Sequence, residues 1–221
     1  MLLPFQAVQY YPDIIRQIQR MVKTGQVEIV GETYYHSMSF FYDREEFETQ
    51  VRLHQAKIKE LFGVESKVFR NTEFCYNDEV GQWAEEFGFK GVLAEGWDKV
   101  LGWRSPNHVY RPLGCENTRL LLKNYRLSDD IAFRFSDRKW AEWPLTVEKY
   151  QGWLNMDALR GSLINLFMDF ETFGEHQWED TGIFHFMDHS IDSWLKVYDN
   201  KFVTVSEACE IEPPVAEISM P

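Results

Sequence analysis

The chain has 221 residues, 44% hydrophobic and 26% charged, an ordinary balance for one globular domain with a sizeable core. Lys and Arg number 23 against 35 Asp and Glu, a net charge of −12 that repels a phosphate backbone. No basic stripe with interleaved aromatics reverses this locally, so a neutral ligand is expected and a nucleic acid is not.

The first helix is expected from Pro12 to about Lys23, with Ile14, Ile15, Ile18, Met21 and Val22 on one face and Gly25 as its stop. VEIVGETYY (Val27–Tyr35) reads as a strand. A long helix follows from about Glu45 to Leu61, placing Phe47, Val51, His54, Ile58 and Leu61 at helical spacing, and Gly63 ends it. KVFRNTEF (Lys67–Phe74) is the next strand. Asn77 caps a helix to about Phe87, closed by Gly88, and GVLAEGW (Gly91–Trp97) is again a strand. HVYRPL, TRLLLKNY and IAFRFS are β-prone runs separated by short turns. A helix covers Thr146 to Leu154. LINLFMDFETFG (Leu163–Gly174) reads as the strongest buried strand, a helix runs from about Gly182 to Leu195, and KFVTVSEAC (Lys201–Cys209) is the last strand. The tail IEPPVAEISMP shows no terminating element. No repeat, low-complexity segment or linker interrupts the chain.

Alternating β and α segments with near-continuous apolar strands indicate a parallel sheet covered by helices, an α/β class that fits a barrel or a doubly wound sheet. Glu32, Glu73, Trp97 and Asp169 lie late in their predicted strands or just beyond. Barrel enzymes place their chemistry at that face. A nucleotide-binding open sheet needs a Gly-rich turn after its first strand, and neither GxGxxG nor a P-loop is present.

FRNTEF puts Glu73 near the end of a predicted buried strand, where a carboxylate is costly unless paired, hydrogen-bonded or functional. MDFETFGEH sets Asp169 and Glu171 two apart, on one face of a strand. Carboxylates from separate strands suit glycoside hydrolysis, one attacking the anomeric carbon and the other protonating the leaving oxygen. Spacing alone leaves a satisfied ion pair at a strand end open beside catalysis. Aromatics are 16% of the chain, and core rings account for most of them, while some are candidates for stacking on a sugar. Three widely spaced cysteines, Cys75, Cys115 and Cys209, argue against a disulfide framework or a cysteine zinc site and for a reducing, cytoplasmic compartment. The start lacks the basic region of a signal peptide, and no stretch is apolar enough to cross a bilayer, so no membrane partner is expected.

VEIVGETYYHS, VFRNTEFCYNDE, GFKGVLAEGWDKVLGWRSPNHVYRP, NYRLSDDIAFRFSDRKW and LFMDFETFGEHQW, in this order, resemble glycoside hydrolase family 57 of the α-amylase type, from about residue 10 to the end. The resemblance implies a parallel (β/α)7 TIM-like barrel and a retaining mechanism on α-glucans. It assigns Glu73 of FRNTE as nucleophile and Asp169 of DFETFG as acid/base. A retaining pair is expected with its carboxyl groups about 5–5.5 Å apart. The family's first motif, an HQP-like segment on the first barrel strand, has no counterpart here, nor has the helical region after the barrel. Residues 1–221 are therefore expected to be one partial catalytic domain truncated at both ends, its barrel open on one side. No cofactor and no metal are expected.

Weaker candidates surround the pair. His36 is expected to hydrogen-bond a sugar hydroxyl or to be a satisfied core histidine, with Glu32 holding it or facing the cleft. Trp97 is expected to be a stacking platform rather than a core ring, because strand-end loops flank it. Trp103 and Arg104 sit over the cleft or fix their own loop. Asp130 and Arg134 line the cleft or pair with each other. Phe173 and Glu175 shape the acid/base pocket, and Glu171 tunes Asp169 by like-charge proximity. His185 and His189, four apart beside Asp188, have zinc-like spacing without the HExxH glutamate and read as a solvated helix face. Other readings are a transglycosylase, a metal-dependent deacetylase-like relative using Asp169, His176 and His36, and a glucan-binding module without turnover.

Overall fold

The structure, a computed structural model, describes residues 3–211 and 213–221. In chain order its helices and strands are α1 (Leu3–Tyr10), α2 (Pro12–Lys23), α3 (Arg44–Phe62), β1 (Val68–Arg70), α4 (Asp78–Phe87), β2 (Gly91–Glu95), α5 (Asp98–Leu101), β3 (Val109–Pro112), β4 (Arg119–Lys123), α6 (Tyr125–Ala132), α7 (Val147–Ala158), α8 (Ile183–Leu195), α9 (Val205–Ile211) and β5 (Glu217–Ile218). The chain divides into two compact units. Unit 1 takes the described residues of Met1–Ala94, Val109–Leu121 and Val203–Pro221, and unit 2 takes Glu95–His108 and Leu122–Phe202.

The sheet has the order β1-β2-β4-β3-β5. β1 and β2 run parallel with Val68 opposite Gly91, β3 and β4 antiparallel, and β3 and β5 parallel. In unit 1, α3 is set by its ends and its buried face. Asp43 accepts the N–H of Glu46, Gly63 closes the last turn at φ 73°, and Phe47, Val51, His54 and Ile58 are buried at helical spacing. α4 is bounded likewise by the Asn77 cap and by Gly88 at φ 95°. Phe40, Phe47, Phe69 and Trp83 meet edge-on in an aromatic core, with Phe47 and Trp83 centroids 4.5 Å apart, and Phe89 packs tilted against Trp83. The tail, which shows no terminating element in sequence, is pinned: β5 extends the sheet, Met220 N–H and Ser219 Oγ donate to Asp78, and Ile218 and Met220 are buried.

Unit 2 packs α6, α7 and α8 around Leu127, Ile131, Phe135, Leu145, Tyr150, Leu154, Ile183 and Phe186. The Tyr150 hydroxyl, buried in that cluster, donates to the Leu127 carbonyl at 3.0 Å. Gly161 lies so close to Asn107 that a Cβ there would overlap the Asn107 carbonyl. Gly161→Ala is therefore expected to cost about 1–3 kcal/mol by overpacking, measured by denaturant unfolding. An unchanged midpoint would show that the segment gives way freely.

Four predicted strands take other forms, each for a local reason. Residues 27–35 contribute one bridge, Gly31 to Phe69, because α3 side chains intercept the following N–H groups: Glu32 donates to His54 Nδ1 and Tyr35 to Gln50 Oε1. IAFRFS begins with the last two residues of α6 and leaves it in a turn; Asn124 starts that helix by accepting the Leu127 N–H, and Leu127 and Ile131 share its buried face. Residues 163–169 run without a ladder: the N–H groups of Ser162 and Leu163 go to the Asn107 carbonyl, and that of Phe167 to Ser128 Oγ. Residues 201–209 hold the start of α9, not a strand. Thr204 and Glu207 exchange side-chain to backbone hydrogen bonds, a capping box that overrides the β-branched run before it.

Candidate active site

In unit 1 the site is built on the turn that ends β1. The Asn71 side chain donates to the Cys75 carbonyl at 2.8 Å, Phe74 N–H to the Asn71 carbonyl, and Cys75 N–H to the Thr72 carbonyl. Asn71 and Thr72 are buried, and the Thr72 hydroxyl meets that of buried Thr33 at 3.0 Å. Anchored on both sides, the turn forces Glu73 to φ 54° and Phe74 to φ 55°, in the left-handed region. Such a conformation costs on the order of 1–3 kcal/mol at a non-glycine residue and persists only where the surroundings impose it. The result departs from the buried strand end that the alternation suggested: the Glu73 side chain is 68% exposed.

His36, also left-handed at φ 54°, stands beside it. Its Nε2 donates to Glu73 Oε1 at 2.8 Å, and its Nδ1 donates to Glu32 Oε1. Glu32 is the buried end of this chain, its side chain only 16% exposed. The same Oε1 lies 3.3 Å from Arg70 Nη1 and accepts from Thr72 Oγ1 at 3.5 Å. The Glu32 backbone N–H donates to His54, so α3 anchors the group from below.

His54 itself is fully buried, and burial pulls its imidazole down from the ordinary 6.5 to about 4. Its folded value lies below its unfolded one, so the unfolded chain binds the extra proton between the two. Stability is then whole above pH 6.5 and falls by on the order of 3 kcal/mol as pH drops to about 4. Thermal melting between pH 7 and 4 should show this loss, and His54→Gln, whose amide oxygen still accepts the Glu32 N–H, should shrink it. An equal loss in both proteins would assign the acid lability elsewhere.

In unit 2, Asp169 is exposed at the lip of a compact loop and is followed by a single 3-10 turn, Phe170–Thr172. Buried Thr172 and Gln177 hold the loop. Gln177 N–H donates to the Thr172 carbonyl, its amide donates to the Ala132 carbonyl, and Glu171 O accepts from His176 N–H. Asp169 and Glu171 thus belong to a turn, not to one face of a strand, because the loop closes on itself through residues 171–177. Phe173 packs on the unit 2 core. Asp130 and Arg134 pair, Arg134 Nε donating to Asp130 Oδ1 at 2.7 Å. Burial still pushes the Asp130 carboxyl above its ordinary range against the pull of Arg134. Trp97 is 50% exposed and Trp103 90%, with the Arg104 guanidinium 5.4 Å from the Trp103 ring.

Several participants were not singled out in the sequence. Arg70 and Thr72 hold Glu32, and their place inside FRNTE was the available signal. In unit 2, Glu95 at the end of β2 lies 3.6 Å from Lys123, which also approaches Asp129 at 3.5 Å. Burial pushes the Glu95 carboxyl up, with Lys123 opposing. His185 and His189 are exposed on α8 with stacked rings, centroids 3.8 Å apart, and His189 Nδ1 donates to the His185 carbonyl. Among the described residues no group of three or more His, Cys, Asp or Glu is arranged to hold a metal ion. Nor, among them, is any helix long and apolar enough to cross a membrane.

The model of glycosyl hydrolase family 57 matches residues 4–221, and the chain belongs to that family. A candidate α-amylase of Methanocaldococcus jannaschii is 44% identical over 214 residues, which are 96% of this chain and 45% of that relative. The chain thus spans about half the length of the relative it matches. Among solved structures, the 4-α-glucanotransferase of Thermococcus litoralis superposes with a TM-score of 0.77 at 20% identity, covering 100% of this chain and 34% of that one. A family 57 branching enzyme from Thermococcus kodakaraensis gives 0.73 at 15% identity over 97% and 52%. The fold is that of these (β/α)7 barrel enzymes, mixed α/β with a parallel-dominated sheet, as the order of elements and motifs led us to expect.

Proposed function

We propose that residues 1–221 carry the catalytic machinery of a retaining glycoside hydrolase acting on α-glucans, with Glu73 as nucleophile and Asp169 as acid/base. The observation that carries this reading is the Glu73 turn. A carboxylate in the family's nucleophile motif is presented to solvent on a strained, doubly anchored turn, with one oxygen held by His36.

In the proposed reaction Asp169 gives its proton to the glycosidic oxygen as that bond breaks, and a Glu73 oxygen bonds to the anomeric carbon. Asp169 then takes a proton from the incoming hydroxyl, which displaces Glu73, and two inversions leave the configuration retained. The exposed rings of Trp97 and Trp103 offer flat apolar faces for sugar stacking. The incoming hydroxyl belongs to water or to a second glucan. Hydrolysis is the primary reading, supported by the 44% identical relative, and transfer is the second, supported by the likeness to a 4-α-glucanotransferase. Three free cysteines favour a reducing, cytoplasmic setting.

Incubation with a maltooligosaccharide, followed by proton NMR of the first-formed anomer and by sizing of the products, tests both points. A retained α-anomer is expected, with shorter chains for hydrolysis or redistributed lengths for transfer. An initial β-anomer would overturn the double displacement, and binding without any product would make the chain a glucan-binding module.

A further inference from the structure

We infer that His36 is a positioning residue for the Glu73 carboxylate, engaging Oε1 so that Oε2 is the oxygen that bonds to the anomeric carbon; this rests on the nucleophile reading of Glu73. An exposed glutamate has three side-chain torsions, and fixing them costs conformational entropy that the reaction would otherwise meet at every turnover. Here the Glu73 carboxylate is tied down through one oxygen. The Nε2–H of His36 donates to Oε1 at 2.8 Å, and among the described residues Oε2 makes no hydrogen bond.

The ring is itself fixed from the other side. Its Nδ1–H donates to Glu32, and Arg70, Thr72 and His54 hold Glu32 from β1, its turn and α3.

The backbone points the same way. Among the described residues the non-glycine positions with positive φ are His36, Glu73 and Phe74. Strain is concentrated in the two residues that meet through this hydrogen bond and in the neighbour of one of them. His36 is held in it locally: its N–H donates to the Thr33 carbonyl at 3.2 Å, and the Ser37 N–H to the Thr33 hydroxyl at 2.8 Å. A ring serving only as surface decoration would not need three carriers of strain arranged about one carboxylate.

The test uses His36→Asn, because asparagine tolerates the left-handed backbone while its short amide falls short of Glu73. With folding checked by circular dichroism and thermal melting, kcat on a maltooligosaccharide is expected to fall about a hundredfold, the effect of misplacing a reacting group, with KM within about twofold. Glu32→Gln, which loosens the ring without removing it, should fall less. The decisive comparison is Glu73→Ala turned over by azide, where the protein's own nucleophile is gone. Adding His36→Asn there should leave the azide-dependent rate unchanged, since His36 acts through Glu73. A general structural role would lower both rates by the same factor and would overturn the inference. So would a fully folded His36→Asn with wild-type kcat. If azide supports no measurable turnover, the split between kcat and KM in the single variant decides, and a rise in KM at constant kcat would make His36 a substrate contact. Wild-type turnover in Glu73→Ala would instead remove the nucleophile reading itself.

Discussion

If Glu73 is the nucleophile as proposed, Glu73→Gln is expected to lower turnover of α-glucans by about 10⁴-fold or more, while the affinity for a maltooligosaccharide stays within a few fold. Removing a nucleophile takes away a whole covalent route, and losses of this size are what such substitutions produce elsewhere. The amide keeps the shape of the carboxylate and still accepts a hydrogen bond from His36 through its oxygen. Its oxygen and nitrogen carry no negative charge, so no stable bond to the anomeric carbon forms. Binding is expected to survive because the amide keeps the shape of the carboxylate it replaces. Steady-state kinetics together with isothermal titration separate the two quantities. With the smaller Glu73→Ala, azide enters where the carboxylate was and gives a glycosyl azide of inverted configuration. A retained azide from this variant, or loss of binding equal to the loss of turnover, would take the nucleophile role away from Glu73.

Asp169→Asn is expected to lower turnover of a natural glucan by about 10²–10⁴-fold, the usual contribution of a positioned acid and base. The loss depends on the leaving group. A glycoside with an acidic phenol leaves without protonation, so the first step stays fast and a burst of phenol precedes a stalled intermediate. Deglycosylation then waits for water that nothing deprotonates. Azide needs no base, so it should restore turnover and yield a glycosyl azide of retained configuration. The position of Asp169 suits such exchange, because it is exposed at the lip of a loop held by Thr172 and Gln177, neither of which the substitution touches. Equal losses on good and poor leaving groups, or rescue with inversion, would exchange or refute the roles of the two carboxylates.

The sequence by itself determined the family and the helices α2, α3, α4, α7 and α8, and it singled out the two carboxylates as candidates. Helices are decided by neighbours in the chain: Asp43 and Gly63 bound α3, Asn77 and Gly88 bound α4, and apolar residues three and four apart mark the buried faces. The pairing of Asp130 with Arg134 was equally local, four residues apart on α6 and just beyond it. Even the helix that replaced the last predicted strand had its signal, since Thr204-Val-Ser-Glu207 is a capping box that an apolar, β-branched run concealed.

Only the tertiary structure decided which apolar runs became strands and how the carboxylates are displayed. A strand exists only if a partner offers its backbone. Residues 27–35 lost theirs to His54 and Gln50 of α3, and residues 163–169 to Asn107 and Ser128. The exposure of Glu73 follows from a turn tied by Asn71 and Thr72, and its hydrogen bond to His36 spans 37 residues of sequence. No spacing rule reaches that far, because the contact is fixed by where the segment that bridges at Gly31 runs beside β1 and not by the residues between them.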